Sequence, residues 1–282
     1  MKFDIEQEKN LMNFFKKSFK EPVNVMVIGN YGNNNFGDEI ILYSLYKLLK
    51  ETKKIKKIII PTSNPDRVML EGSDVEILDM ASKFNLIKNL ISVDLVIIGG
   101  GGIFSAYTGK KAKLIPLFTL IAKLLGKKVI YYGIGIYSTA SPAEKKLLGV
   151  SLNVSNLICV RDDDSYKTVT KLTSNKVNLI EDLVYYLKFD KDKNKKFSEV
   201  GLGLKFTKDK EKNSLIIKLI SNTLNKLTIK NVNFYIFCED KVWYENDRMM
   251  YEELELLLKE KKVSYIKPES YGHFISSMKK ND

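Results

Sequence analysis

The sequence predicts an α/β protein with two lobes, each built around a mostly parallel sheet. Short apolar runs alternate with helical stretches along the chain, an order typical of βα units. The apolar runs are almost uninterrupted, as expected for strands that helices cover on both faces. A charged segment at residues 188–196 divides the chain and predicts an interdomain linker, after which the alternation restarts.

Composition excludes several classes of function. The 282 residues carry 46 Lys and Arg against 34 Asp and Glu, a formal net charge of +12. The lysines are spread along a chain also rich in Ile and Asn, which indicates codon bias as much as selection for a polyanion, so we predict no nucleic-acid partner. Two distant cysteines and a single histidine exclude a disulfide scaffold and a two-histidine metal motif, and we predict no metal site.

Neither a signal peptide nor a membrane span is predicted. The N-terminus reads as a charged amphipathic helix over residues 1–20, without an apolar segment followed by a cleavage site. The longest apolar stretch, Leu114–Leu125, contains Pro116 and Lys123 and is shorter than the ~20 residues of a spanning helix. We therefore expect a cytoplasmic protein.

The first lobe is predicted over residues 21–187, with a sheet of about six strands. The predicted strands are Val23–Ile28, Lys56–Ile60, Val75–Leu78, Asp94–Ile98, Val129–Tyr132 and Asn156–Val160. Predicted helices cover Glu39–Thr52, Leu114–Leu125 and Pro142–Val150.

The second lobe is predicted over residues 197–282. Its predicted strands are Glu199–Leu204, Val232–Cys238 and Val263–Ile266, and its helices are Asn213–Thr228, Asp247–Lys261 and Tyr271–Lys280. No predicted strand follows the last helix, so we expect an incomplete sheet. The apolar side of Val263–Ile266 should then be poorly covered.

A loop rich in Gly and Asn joins the first strand to the first helix of its lobe. Asp38 and Glu39 follow it and are expected to cap that helix. The loop fits neither a dinucleotide-binding fingerprint nor a P-loop. It is either a tight turn with an acidic cap or a site where Asp38 accepts a hydrogen bond from a sugar hydroxyl. The candidate binding residues beside Asp38 are Gly29, Asn30, Tyr31, Gly32, Asn35 and Gly37.

Two further groups of glycines follow predicted strands. Four consecutive glycines come after DLVII, and two more flank Ile134 after VIYY. Because the carboxyl ends of parallel strands meet at one edge, we expect these glycines to form loops that line a shared cleft. The candidate binding residues here are Gly99, Gly100, Gly101, Gly102, Gly133 and Gly135.

A charged turn, Arg161-Asp-Asp-Asp-Ser165, follows another buried strand. The guanidinium of Arg161 is suited to bidentate capture of a carboxylate or phosphate, but it could equally pair with one of the three aspartates. Asp182, at the end of a further apolar run, could hold Arg161 or the hinge. His273, alone in a C-terminal helix, is expected to be a surface or packing residue.

These segments together resemble the polysaccharide pyruvyl transferase family. The matching pieces are GNYGNNNFGDEIIL, DLVIIGGGGIF, YYGIGI and VRDDDSYKTV, with weaker matches around Asp182, at VGLGLK and at FYIFCED. The resemblance implies a GT-B-like protein with two Rossmann-like halves. It also implies transfer of the enolpyruvyl unit of phosphoenolpyruvate onto two sugar hydroxyls as a ketal, with release of phosphate. The acceptor would be a cell-surface glycan or a lipid-linked saccharide, and no cofactor is expected.

The resemblance and the residue chemistry together imply roles for particular side chains. Arg161 is the first candidate for the phosphate or carboxylate, Lys205 the second, and backbone amides of Gly99–Gly102 could add donors. Asp38 is the candidate that activates an acceptor hydroxyl, and Ser165 is a candidate binding residue. In the family an Arg-x-His segment follows the helix that here ends at Met278–Asp282. We therefore expect little pyruvyl transfer by this polypeptide alone.

Two other readings stay open from the sequence. One is a GT-B glycosyltransferase that uses a nucleotide sugar, since a fold does not determine the donor. The other is a non-catalytic, shortened remnant of the pyruvyl transferase family. Peripheral membrane contact and a homo-oligomer also stay open at this point.

Overall fold

The structure, a computed structural model, describes residues 6–104, 110–136, 141–187, 199–240, 245–258 and 260–279. The chain divides into two compact units. The first comprises Met1–Gly32 and Asp38–Leu187, and the second comprises Asn33–Gly37 and Lys188–Asp282. The five residues Asn33–Gly37 thus group with the second unit, although they lie inside the range predicted for the first lobe. The linker predicted at 188–196 lies outside the described residues.

The first unit is built on a parallel sheet that has seven strands in the part of the chain described. Their order is β3-β2-β1-β4-β5-β6-β7, and every neighbouring pair is parallel. The strands are β1 (Val23–Ile28), β2 (Ile55–Thr62), β3 (Val75–Asp79), β4 (Leu95–Phe104), β5 (Lys128–Ile136), β6 (Leu157–Val160) and β7 (Val177–Leu179). The helices are α1 (Glu6–Ser18), α2 (Phe36–Glu51), α3 (Lys83–Ser92), α4 (Lys110–Leu124), α5 (Pro142–Asn153) and α6 (Asp163–Val169), with 3₁₀ turns at Pro65–Arg67 and Leu183–Tyr186.

Two apolar cores lie on opposite faces of this sheet. Val25 and Val27 of β1 pack into one core with residues of α1 and α2, and Met26 packs into the other with residues of α3, α4 and α5. Successive side chains of a strand point to opposite faces, so both faces of the sheet are covered by helices. The uninterrupted apolar runs of the sequence follow from this double coverage.

The predicted elements of the first lobe differ from the structure in three respects. The helices α3 and α6 were not predicted, and the apolar run that the sequence places before Asp182 forms the seventh strand, β7, which is only three residues long. The glycines expected to form loops after β4 and β5 instead lie inside these strands, which continue to Phe104 and Ile136. The pairing register shifts at both places, between Gly101 and Phe104 and between Tyr132 and Ile134. The strands therefore absorb the glycines as bulges.

The second unit contains a three-stranded parallel sheet, again counting only described residues. Its order is β12-β9-β8, and its strands are β8 (Glu199–Gly203), β9 (Asn231–Tyr235) and β12 (Lys262–Ile266). An antiparallel pair, β10 (Glu239–Asp240) and β11 (Glu245–Asn246), follows β9. The helices are α7 (Lys210–Lys226), α8 (Arg248–Leu257) and α9 (Tyr271–Met278). The edge strand β12 has no fully buried residue, and Tyr265 is 48% exposed, in line with the poor coverage predicted for it.

The short segment Asn33–Gly37 is tied to β9 and its continuation within the second unit. Asn35 forms an antiparallel bridge with Cys238, and the backbone N–H of Phe36 donates to the carbonyl of Phe237 at 2.7 Å. The Phe36 ring stacks on Phe237 and packs against Phe274, with ring centroids 6.0 and 5.1 Å away. Backbone pairing and aromatic contact together explain why this segment groups with the second unit.

Among the described helices, none combines the length and the apolar character that crossing a membrane requires.

Candidate functional site

The loop after β1 holds Asp38 by side-chain and backbone contacts. The Asn30 amide donates to Asp38 Oδ2 at 2.8 Å. Tyr31 is buried, and its hydroxyl donates to the carbonyl of Gly99 at 2.8 Å, with its ring folded over Gly29. Burial, followed by the nearby carboxylates of Asp38 and Glu39, raises the pKa of Tyr31 well above its usual range, so the hydroxyl remains a donor.

Glu39 does not cap helix α2, contrary to the sequence expectation. The helix begins at Phe36, which places Asp38 and Glu39 inside its first turn. Glu39 turns inward, is 4% exposed and accepts the backbone N–H groups of Gly32 at 2.7 Å and Met69 at 3.1 Å. Burial raises the pKa of Glu39, and these two hydrogen bonds offset part of the rise. Glu39 thus fixes the end of the β1–α2 loop.

The glycines of β4 let helix α2 and Asp38 approach the strand. Gly100 and Gly101 have φ of 74° and 86°, values that favour glycine. A Cβ on Gly100 would lie 2.3 Å from Cγ2 of Ile41, and one on Gly101 would lie 2.8 Å from Oδ1 of Asp38. The Asp38 carboxylate therefore lies directly against the backbone of β4, where only glycine leaves room for it.

Arg161 lies in the same way against β5. A Cβ on Gly135 would lie 2.8 Å from Arg161 Nε, and the backbone N–H of Arg161 donates to the carbonyl of Ile134 at 3.2 Å. Ile134 pairs in register with Gly101 on the neighbouring strand β4. Asp38, the β4 glycines, Gly135 and Arg161 therefore follow one another across adjacent strands at the carboxyl edge of the first sheet. Gly133, nearer the start of the bulge, packs against Leu183 instead.

Arg161 pairs with two carboxylates. Its Nη1 lies 2.9 Å from Asp182 Oδ2, and its Nε lies 3.7 Å from Asp162 Oδ2. The guanidinium is 20% exposed. Pairing with one of the neighbouring aspartates was one of the two alternatives left open by the sequence, and the structure shows it for Asp162. The stronger partner is Asp182, which the sequence offered as a candidate to hold Arg161.

Ser165 serves the local architecture of this edge. Its backbone N–H donates to Asp162, the N-cap of α6, at 2.7 Å. Its side chain is buried, and its hydroxyl accepts the N–H of Ile136 at 2.8 Å. The structure thus places Ser165 behind the end of β5 rather than on the exposed side of the edge.

Three predicted site residues belong to the second unit. Asn35 and Gly37 lie in the segment Asn33–Gly37, where the Asn35 side chain accepts the N–H of Gly37 at 3.0 Å. Lys205 is exposed just after β8. His273 is exposed in the first turn of α9, where its N–H donates to Ser270 Oγ at 3.1 Å, as expected for a surface residue.

Sequence reasoning missed the main role of Asp247, which organises the second unit beside Lys205. The carboxylate is 2% exposed and accepts the N–H groups of Phe206, Phe237 and Cys238 at 3.0, 3.2 and 2.9 Å. Burial raises the pKa of Asp247, while the three hydrogen bonds and the charge of Lys205 lower it. A buried carboxylate that joins two strand ends has no local sequence signature. Over the described residues, the structure has no group of three or more His, Cys, Asp or Glu placed to hold a metal ion.

The fold and this edge define a mostly parallel α/β protein of the GT-B-like class, which confirms the predicted fold class. The sequence profile of the polysaccharide pyruvyl transferase family matches residues 35–278, and the chain belongs to this family. The family resemblance noted from the sequence is thereby confirmed. A comparison with curated protein sequences finds none that matches.

Comparison with solved structures finds several that are similar to this chain. A putative UDP-N-acetylglucosamine 2-epimerase from Listeria monocytogenes has 12% identity and a TM-score of 0.52, with 88% of this chain and 69% of that chain covered. The UDP-GlcNAc 2-epimerase from Neisseria meningitidis has 16% identity and a TM-score of 0.47, with 92% and 76% covered. An uncharacterized protein from Klebsiella pneumoniae has 15% identity and a TM-score of 0.43, with 95% and 92% covered. At such identities the Listeria structure shows a shared fold and no more.

Proposed function

We propose that this protein transfers the pyruvyl unit of phosphoenolpyruvate onto two hydroxyls of a glycan or a lipid-linked saccharide. The observation that carries the proposal is the family match over residues 35–278, which spans the whole glycine-lined edge from Asp38 to Arg161. In the reaction, C2 of phosphoenolpyruvate forms two C–O bonds and loses its bond to the phosphate oxygen. The methylene carbon takes up one proton to become a methyl group. The second hydroxyl proton leaves with the phosphate.

Asp38 is the residue that we assign to the acceptor. An ionised carboxylate accepts the hydrogen bond of a sugar hydroxyl and takes its proton as the hydroxyl attacks. Asn30 orients the Asp38 carboxylate through the 2.8 Å hydrogen bond, and the β4 glycines let it lie against the strand without a side chain between them. A carboxylate placed there would repel the phosphate, so this part of the edge suits the neutral sugar.

Arg161 is the residue that we assign to the carboxylate or phosphate of phosphoenolpyruvate. A guanidinium fork binds such groups with charge-assisted hydrogen bonds. Asp182 and Asp162 hold the fork over Gly135, which fixes its orientation before the ligand arrives. Backbone amides of the β4 glycines add neutral donors.

Phosphate release tests the proposal. The full chain would be incubated with phosphoenolpyruvate and a panel of p-nitrophenyl hexosides, and phosphate and the mass of the glycoside would be followed. We expect slow phosphate release that depends on the acceptor, in line with the little transfer expected from the sequence, together with a glycoside carrying one pyruvate ketal. Asp38→Asn is the matched control and should release little phosphate.

Other outcomes would replace the proposal. Consumption of a UDP-sugar with no requirement for phosphoenolpyruvate would identify a nucleotide-sugar glycosyltransferase. Failure to bind phosphoenolpyruvate in a calorimetric titration, with no turnover of either donor, would identify a non-catalytic member of the family.

A further inference from the structure

Helix α3 exposes a stripe of large apolar residues. Phe84, Ile87 and Ile91 are 77%, 57% and 56% exposed. They are spaced three and four residues apart, so they share one face of the helix. The opposite face carries the buried Leu90, which packs on the sheet. A helix with one apolar face toward its core and a second toward solvent has a surface that its own fold does not use.

Helix α4 has the same property. Leu117, Ile121 and Leu124 are 48%, 43% and 87% exposed, again at helical spacing. Ile115 and Ala122 on the other side of α4 are buried in the core. Two successive helices of the first unit thus each expose an apolar stripe.

The two stripes lie on the same side of the first unit. Both helices pack into the same core on the same face of the sheet. The segment after α4 contacts the end of α3, because Lys127 Nζ donates to the carbonyl of Ile91 at 2.6 Å. The α3/α4 surface, as we define it, comprises Phe84, Ile87, Ile91, Leu117, Ile121 and Leu124. Contiguous apolar surface of this kind marks an interaction site more often than isolated exposed residues do.

The sequences of helices α3 and α4 contain lysines and no acidic residue. Residues 80–143 contain a single acidic residue, Asp94, whose carboxylate accepts the N–H of Asn24 at 2.9 Å. The same residues contain eight lysines, namely Lys83, Lys88, Lys110, Lys111, Lys113, Lys123, Lys127 and Lys128. Lys88 is exposed within the α3 stripe. Burial, followed by the charge of nearby Lys128, lowers the pKa of Lys123.

From this combination we propose that the α3/α4 surface docks on an anionic lipid surface. Leucine, isoleucine and phenylalanine side chains enter the boundary between headgroups and acyl chains, and the lysines lie among the phosphates. A soluble protein partner would not require two exposed apolar stripes on helices that carry lysines and no acidic residue. Neutral or zwitterionic lipid alone would leave the lysines without counter-charges.

Vesicle binding tests the proposal without reference to the transfer reaction. The full chain would be sedimented with vesicles of phosphatidylcholine alone and of phosphatidylcholine with phosphatidylglycerol. We expect binding to the anionic vesicles, weak binding to the zwitterionic ones, and a fall in binding as salt screens the lysines.

Two variants separate the contribution of the apolar residues from that of the lysines. The double variant Phe84→Gln/Leu124→Gln should bind anionic vesicles at least about ten-fold more weakly, since two large side chains no longer enter the membrane. The single variant Lys88→Glu should bind a few-fold more weakly and show a smaller dependence on salt. The matched control is Leu215→Gln/Leu219→Gln on α7, where both leucines are 58% exposed, and it should bind as the wild type does.

Either of two results would overturn the proposal. One is equal binding of anionic vesicles by the wild type and Phe84→Gln/Leu124→Gln, or no binding by either. The other is a concentration-dependent dimer without vesicles that the double variant loses, which would assign the surface to a second copy of the chain. Thermal melts of all variants check that these exposed substitutions leave the fold intact.

Discussion

The glycines of β4 and those of β5 lie on adjacent strands of one sheet but admit opposite charges. At β4, Gly100 and Gly101 have positive φ and receive the first turns of α2, with Asp38 against the backbone. At β5, Gly135 has no positive φ and receives the guanidinium of Arg161. Gly100 and Gly101 are required by their backbone conformation and by the neighbouring atoms, which leave no room for a Cβ. Gly135 is required only because one flexible side chain approaches it.

This difference predicts that substitutions in β4 lower the stability of the fold, whereas substitution of Gly135 affects ligand binding. Substitution in β4 must strain the chain or displace a packed helix, because Ile41 belongs to the core. Substitution of Gly135 needs to displace only the end of Arg161. The difference between the two strands also divides the proposed chemistry. The acidic side, at Asp38, is assigned to the acceptor, and the cationic side, at Arg161, is assigned to phosphoenolpyruvate. Four predictions test this division.

The largest effect is expected for Gly100→Ala. Its φ of 74° costs about 1–2 kcal/mol for an L residue, and the contact with Ile41 at 2.3 Å adds about 1–3 kcal/mol of overpacking. Chemical denaturation should show that the free energy of unfolding falls by about 2–5 kcal/mol. Gly126→Ala is the matched control, since φ is 75° there but nothing lies within 4 Å. Its free energy of unfolding should fall by only about 1–2 kcal/mol. Equal losses in the two variants would show that the contact of Gly100 with α2 is unimportant.

Asp38→Asn should reduce kcat by about 10²–10⁴, the usual contribution of a positioned general base. The amide keeps the shape of the carboxylate but cannot take a proton. Steady-state kinetics should show an unchanged KM for phosphoenolpyruvate, because the anion is assigned to Arg161. A large rise of this KM with little change in kcat would move Asp38 from the acceptor to the donor.

Gly135→Ala should weaken phosphoenolpyruvate binding by about ten-fold with little loss of stability. The new methyl group would displace Arg161 Nε, now 2.8 Å from the position of that carbon, and would misalign a charge-assisted hydrogen bond worth about 1.5–3 kcal/mol. Calorimetric titration measures the affinity. Gly272→Ala, where the nearest atom is 3.9 Å away, is the control and should bind normally. Weakening in both variants would point to a general effect of substitution.

The smallest effect is a pH dependence that belongs to Glu39. Burial raises its pKa in the folded chain, so the folded state holds a proton where the unfolded chain has lost it. Its contribution to stability is therefore complete below the unfolded pKa and is lost as the pH rises through the folded pKa. Glu39→Gln removes this dependence, so the wild type's advantage in Tm should shrink as the pH rises above about pH 4. A difference in Tm in favour of the wild type that grows with pH would contradict the inward, buried position of the Glu39 carboxyl.

The local patterns of the sequence were enough for most elements. The strand β1 has the predicted bounds, Val23–Ile28, because five of its six residues are apolar and Pro22 and Gly29 flank them. Helix α9 begins at Tyr271 as predicted. Helix α3 was missed although its apolar residues have helical spacing, with Ser82 as the N-cap accepting the N–H of Asn85. Its N-cap and spacing could have identified it.

The remaining features depend on partners distant in sequence. Glycines weaken a strand locally, so the continuation of β4 and β5 through them is decided by pairing with neighbouring strands. Glu39 turns inward because Met69, thirty residues away, offers an N–H. Arg161 pairs with Asp182, 21 residues away in sequence, and Phe36 packs against Phe237, which is much more distant in sequence. The sequence offered the Arg161–Asp182 pair as one of two roles for Asp182, and the other contacts have no signature in a window of local sequence.

Binding of phosphoenolpyruvate to two single variants tests the division of the edge most directly. Isothermal titration of the wild type, Asp38→Asn and Arg161→Lys would give three affinities, with thermal melts to show that each protein is folded. Arg161→Lys keeps the charge and loses the fork, and we predict a weakening of about ten-fold or more. Asp38→Asn should bind at least as tightly as the wild type, since it removes a negative charge near the anion. A loss of affinity in Asp38→Asn with none in Arg161→Lys would contradict the assignment of the acidic side to the acceptor and the cationic side to phosphoenolpyruvate.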